Sequence, residues 1–120
     1  MRKLLLVVLT ICAASCSLQS TSVSTEVEKK VASAAQKGDL RLIAFSGRRT
    51  VVPGYENEDI VSLKKTCGLV FERNSGDVVK SDKDIDDRNK LYDFAVAYNT
   101  KIYKLCKAKN DLELRHKNER

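Results

Sequence analysis

Apolar positions recur at helical spacing near both ends of the chain and at strand spacing between them. The run Thr25-Glu26-Val27-Glu28 has the form of a capping box. The Thr25 hydroxyl accepts an orphan amide, and Glu28 reaches back to the cap. Val27, Val31, Ala34 and Ala35 then share one helical face, and Gly38 supplies a C-terminal cap. This pattern predicts a short amphipathic helix over 26–37.

Leu40 to Phe45 is apolar apart from Arg41 and reads as a strand. Ser46-Gly47-Arg48-Arg49 is a turn, and Thr50-Val51-Val52 returns, so residues 40–52 form an expected hairpin. Pro53-Gly54 stops it, because Pro presets one turn dihedral and Gly accepts positive φ. Glu56, Glu58 and Asp59 place negative charge at a second helix start, with Lys64 and Lys65 near its end, matching the helix dipole. Ile60, Leu63 and Cys67 share its face, and Gly68 ends it. Leu69 to Phe71 is a short strand, Asn74 to Asp77 a turn, and Val78-Val79 follow. Ser81 then caps a long helix reaching Lys109, its start rich in Asp82, Asp84, Asp86 and Asp87. Leu91, Phe94, Ala95, Tyr98, Ile102, Leu105 and Cys106 form its apolar stripe.

These elements predict an α+β fold in one small domain. A long C-terminal helix packs on a few short antiparallel strands with two shorter helices, and an all-helical bundle is the alternative. Residues 26–109 are the expected globular domain, and 110–120 a charged flexible tail.

The first sixteen residues follow another logic. Arg2 and Lys3 precede an apolar run from Leu4 to Ile11, too short to span a bilayer as a stable helix. Positive charge holds such a start on the cytoplasmic side. Small residues Ala13, Ala14 and Ser15 lead directly to Cys16. This order resembles the signal and lipid-attachment box of small Gram-negative lipoproteins, except that Ala13 stands where leucine is usual. The resemblance covers residues 1–16 alone. It implies removal of residues 1–15 and acylation of Cys16 as the first residue of the mature chain. Ser17, in place of Asp, implies sorting to the outer membrane. Residues 16–25 are then a lipidated Ser/Thr-rich tether. Cleavage as an ordinary secretory signal is the alternative.

Charge and cysteine count narrow the classes further. Losing Arg2 and Lys3 lowers the net charge from +6 to +4, with signs interspersed. Nucleic-acid binding wants a clustered basic face with stacking aromatics, and neither stands out. Cys12 leaves with the signal and Cys16 is acylated, so Cys67 and Cys106 remain in an oxidising compartment and are expected to pair. No cysteine-histidine cluster suggests zinc. Asp82-x-Asp84-x-Asp86 is similar to a calcium-loop opening, but Asp87 occupies the glycine position and Asp93 the bidentate glutamate position. His116, the single histidine, lies in the charged tail, where no rigid shell orients a base. No metal, cofactor or catalytic residue is expected.

The candidate binding residues are Arg48 and Arg49 at the turn, with Tyr55 beyond the Pro-Gly stop. Arginine reads carboxylates and phosphates through a rigid fork. Tyr98 belongs to the core stripe; Tyr92 and Tyr103 are expected to pack on the core with a wet hydroxyl, and lining an exposed groove is the alternative. The expectation is a non-enzymatic, outer-membrane-anchored lipoprotein facing the periplasm, binding an envelope protein or a cell-wall component. A secreted or periplasmic hydrolase inhibitor, or a phage- or plasmid-type exclusion lipoprotein, would fit the same features.

Overall fold

The computed structural model describes residues 19–72 and 80–120. The expected signal 1–15, Cys16, the Asn74–Asp77 turn and Val78-Val79 lie outside the described residues. Helices and strands alternate: α1 (Gln19–Lys37), β1 (Leu42–Phe45), α2 (Ile60–Thr66), β2 (Leu69–Glu72) and α3 (Asp82–Asn118). The fold is α+β, with the long C-terminal helix and the expected disulfide.

β1 is the centre. All four of its side chains are buried, which explains its unbroken apolar run. Val27, Val31 and Ala34 of α1 and Ala95, Tyr98 and Ile102 of α3 join it in one core. Leu42 and Ile102 are fully buried. Truncating either to Ala costs about 2–5 kcal/mol through lost transfer energy and the cavity left behind.

Four sequence expectations are corrected. First, β1 and β2 pair in parallel, Leu42 opposite Leu69 and Phe45 opposite Glu72. The expected strands were antiparallel, but α2 carries the chain back so that β2 starts beside the start of β1. Second, the 40–52 hairpin is reduced to one antiparallel bridge between Phe45 and Val51. Third, α1 begins at Gln19, so the Ser/Thr-rich run is helical from there and Thr25 is interior rather than a cap. Half-buried Val23 extends its apolar stripe by one turn. Fourth, α3 runs past Lys109 to Asn118, although the side chains from Asp111 onward are exposed. Its Ser81 cap is as expected, accepting from Asp84 N.

The helices run side by side in one direction. Val23 and Glu26 of α1 meet Lys90, Leu91 and Phe94 of α3, whereas Gly38 and Asp39 beyond α1 meet Cys106 and Asn110. α2 likewise ends beside α3, where Asn110 Nδ2 donates to Thr66 O at 2.9 Å. The strands run the opposite way: Ile43 meets Asn99 and Phe45 stacks near Tyr92. One end of the fold therefore collects the helix starts and the strand ends.

At the other end the elements are locked. Cys67 and Cys106 form a disulfide with Cα atoms 5.7 Å apart. Gly68 ends α2 at φ 81°, and its N–H donates to Lys64 O. A side chain there would also approach Arg41 Cγ to 3.1 Å. Arg41 in turn holds Asp39 through two hydrogen bonds of 2.7 and 2.9 Å. That pair is half-exposed and screened by solvent, so the disulfide dominates this end.

Candidate binding cleft at the strand ends

After Phe45 the chain leaves the sheet, turns through Ser46–Arg49 and returns at Val51. Phe45 N donates to Val51 O at 2.8 Å, and Val51 N to Phe45 O at 3.0 Å. The Pro53-Gly54 stop forms as expected. Tyr55 N donates to Val52 O at 2.9 Å, closing the turn, and Gly54 sits at φ 85° against Val96.

This loop is fastened to α3 at three levels. In the middle, fully buried Asn99 accepts from Ile43 N at 2.7 Å through Oδ1. Its amide nitrogen donates to Ile43 O at 2.9 Å and to Pro53 O at 3.0 Å. Asn99 thus acts as a substitute strand along the edge of β1 that β2 does not cover. Toward the start of α3, Tyr92 Oη donates to Glu56 Oε1, which also accepts from Gly54 N at 2.8 Å. Toward its end, the Tyr55 and Tyr103 rings lie 4.8 Å apart.

Between these anchors opens a cleft of about 550 Å³, lined by Arg49, Thr50, Val51, Val52, Tyr55, Glu56 and Ile60. A smaller hollow of about 190 Å³ shares Arg49 and Val51 and has Phe45, Gly47 and Tyr92 on its walls. Arg49 stands between the two. In parallel α/β arrangements ligands bind beyond the carboxyl ends of the strands, where connecting loops gather, and this cleft occupies that position.

Its titrating groups are biased in opposite senses. The Tyr92 hydroxyl and the Gly54 amide hold the Glu56 carboxyl below its ordinary value. The carboxylate that accepts the Tyr92 proton, helped by burial, pushes Tyr92 up to about 12. Burial, with Tyr103 alongside, raises Tyr55. Across the neutral range the cleft therefore presents neutral tyrosines and an ionised Glu56 already engaged by donors. Arg48 and Arg49 are exposed, with no carboxylate partner among the described residues. These groups suit recognition of an anion beside an aromatic wall.

No family model, curated protein or solved structure matches the chain.

The sequence-predicted residues are sorted accordingly. Arg49 and Tyr55 line one cleft, while Arg48 projects from the same turn without lining it. Tyr98 is buried in the core, Tyr103 packs half-buried against it and against Tyr55, and Tyr92 is part-exposed beside the loop with its hydroxyl on Glu56. Cys67 and Cys106 are bonded. Cys16 lies outside the described residues. His116 sits in the last turn of α3, remote along the helix from Tyr92. Among the described residues no three His, Cys, Asp or Glu side chains converge on a metal position. Asp84 of the calcium-like run is occupied locally, accepting from Lys80 N at 3.0 Å.

Sequence reasoning missed Glu56 as a tyrosine partner and Asn99 altogether. Glu56 precedes α2 rather than starting it, since Asp59 is the residue whose side chain caps Ser62 N. The available signal for Asn99 was a polar amide on the face shared by Ala95, Ile102 and Cys106.

Proposed function

We propose that this protein is a lipid-anchored component of the bacterial envelope that acts by binding rather than by catalysis. Cys16 attaches it to the outer membrane on the periplasmic side. Arg48, Arg49 and Tyr55 meet an anionic group on an envelope component, protein or cell wall. The anchoring part of the reading rests on the resemblance of Ala13-Ala14-Ser15-Cys16 to a lipoprotein box. The observation that carries the binding part is the convergence of Arg49 and Tyr55 on one cleft beyond the strand ends. Arginine's fork matches carboxylate and phosphate oxygens in pairs, and the Tyr55 ring gives the ligand an apolar neighbour.

The test is a photo-crosslinking residue at Thr50 in intact envelopes. An adduct is expected, and R48A/R49A should abolish it while leaving the melting temperature unchanged, because exposed substitutions alter stability by under about 0.5 kcal/mol. Equal adduct yield from the double variant, or no adduct from the parent, overturns the reading.

A further inference from the structure

α1 begins at Gln19, three residues after Cys16. At no more than about 3.6 Å per residue, those three residues reach only about 11 Å. Acylation of Cys16 would therefore hold the start of α1 close to the bilayer surface. The parallel helices then decide what else lies there. Val23 of α1 is level with Leu91 and Phe94 of α3, and the three line an apolar groove together with one charge of each sign, Glu26 and Lys90. β1 runs toward this end, so its outgoing turn, with Arg48 and Arg49, is beside Tyr92. The far end of α3 points away: Leu112 is twenty positions beyond Tyr92, about 30 Å at 1.5 Å per residue.

We propose that this end of the fold rests on the membrane that carries the anchor, with Arg48 and Arg49 on lipid phosphates. The proposal rests on acylation of Cys16 and takes the lipid headgroup layer, in place of a protein or cell-wall group, as the anionic ligand. Arginine forks and a part-exposed aromatic ring such as Tyr92 suit that layer, where phosphate meets the edge of the apolar phase. The Val23–Leu91–Phe94 groove adds apolar surface at the same level.

Charge alone does not drive the contact. Asp82, Asp84, Asp86 and Asp87 at the start of α3 share this end and offset Arg48, Arg49, Lys83 and Lys90. Tethering supplies the missing drive. A short linker sets an effective concentration on the order of millimolar, so contacts too weak to recruit the free domain are populated once it is anchored.

The chain contains no tryptophan, so one introduced indole reports a single position. Ser46→Trp at the turn is compared with Leu112→Trp on the outer part of α3; Thr50→Trp repeats the first measurement should Ser46→Trp misfold. Lipidated protein is placed in phosphatidylglycerol–phosphatidylethanolamine vesicles containing lipid brominated on the upper acyl chain. The turn tryptophan should be quenched several-fold more than the one at position 112, and R48A/R49A should remove most of that difference. Equal quenching at both positions, none at the turn, or quenching indifferent to the arginines overturns the proposal. Absence of quenching in these protein-free vesicles would assign the arginines to a protein or cell-wall ligand. Intact mass tests the anchor separately. If Cys16 carries no lipid, the anchoring reading fails, and coupling Cys16 to a maleimide lipid measures the docking on its own.

Discussion

Where the strands begin, Cys67 is bonded to Cys106, Asn110 donates to the last carbonyl of α2, and Gly68 fits against Arg41. Where the strands end, the chain makes a fourteen-residue excursion from Ser46 to Asp59, tied to β1 by the single Phe45–Val51 bridge and to α3 by side chains. Asn99, the Tyr92–Glu56 hydrogen bond and the Tyr55–Tyr103 contact hold it. One end is closed covalently. The other keeps two exposed arginines and a cleft. Such a division suits a binding protein, because a loop that must meet a ligand needs a stiff base but cannot itself be consumed by internal contacts.

The sharpest way to break the contrast is to open the locked end. The bridge joins residues 39 apart. Chain-entropy reasoning assigns about 4 kcal/mol to a loop of that size. A domain of this length holds only about 5–15 kcal/mol in total. Cys67→Ser with Cys106→Ser, or reduction of the parent, should therefore lower the urea-unfolding free energy by about that amount and the melting temperature by many degrees. A loss under about 1 kcal/mol would mean that ordinary packing, at the level of one hydrogen bond, holds this end instead.

Asn99 is the second lever, and it acts on the open end. Asn99→Leu keeps the approximate volume but strands Ile43 N, Ile43 O and Pro53 O in the core. Each orphaned buried group costs about 1 kcal/mol or more, so a loss of about 3 kcal/mol is expected. Amide exchange should locate it: Ile43 N–H loses protection, while the Cys67 region, tied independently, keeps its own. Uniform loss of protection across both ends would show that they are one cooperative unit.

Asn99 also marks where the sequence stops being readable. The α3 stripe apart from Leu105, which is exposed, its Ser81 cap, the Pro53-Gly54 turn and the cysteine pair were legible because each is a local signal or a matter of elimination. Strand direction was not, since it depends on where α2 returns the chain. Nor was the helical state of residues 19–25: serine and threonine favour caps and turns, and tertiary packing of Val23 and Val27 overrides that preference. The cleft was half legible. Arg49 and Tyr55 stand out because their flanking glycines and proline announce turns. The meeting of Arg49 with Tyr92 and of Tyr55 with Tyr103 is a property of the fold alone.

The smallest expected effect, and the one most specific to the open end, concerns Tyr92 and Glu56. Tyr92→Phe removes a charge-assisted hydrogen bond at a partly exposed position, worth about 1 kcal/mol once solvent competition is allowed for. Its pH window follows from the two shifts. Glu56 is depressed in the folded state, so its contribution is present above the ordinary 4.5 and disappears as pH falls through the lowered folded value. Tyr92 is raised, so its contribution is complete below the ordinary 10.0 and is lost as pH climbs through about 12. The difference between parent and Tyr92→Phe should therefore be flat between those limits and shrink outside them. Phenolate absorbance offers a direct reading. Of the four tyrosines, Tyr92 should ionise near pH 12. Tyr92→Phe should delete that step, and Glu56→Gln should move it back toward 10.0. An unmoved step in Glu56→Gln would mean that burial, rather than the carboxylate, sets the tyrosine. The loop would then owe its position to Asn99 and the Tyr55–Tyr103 contact without help from Glu56.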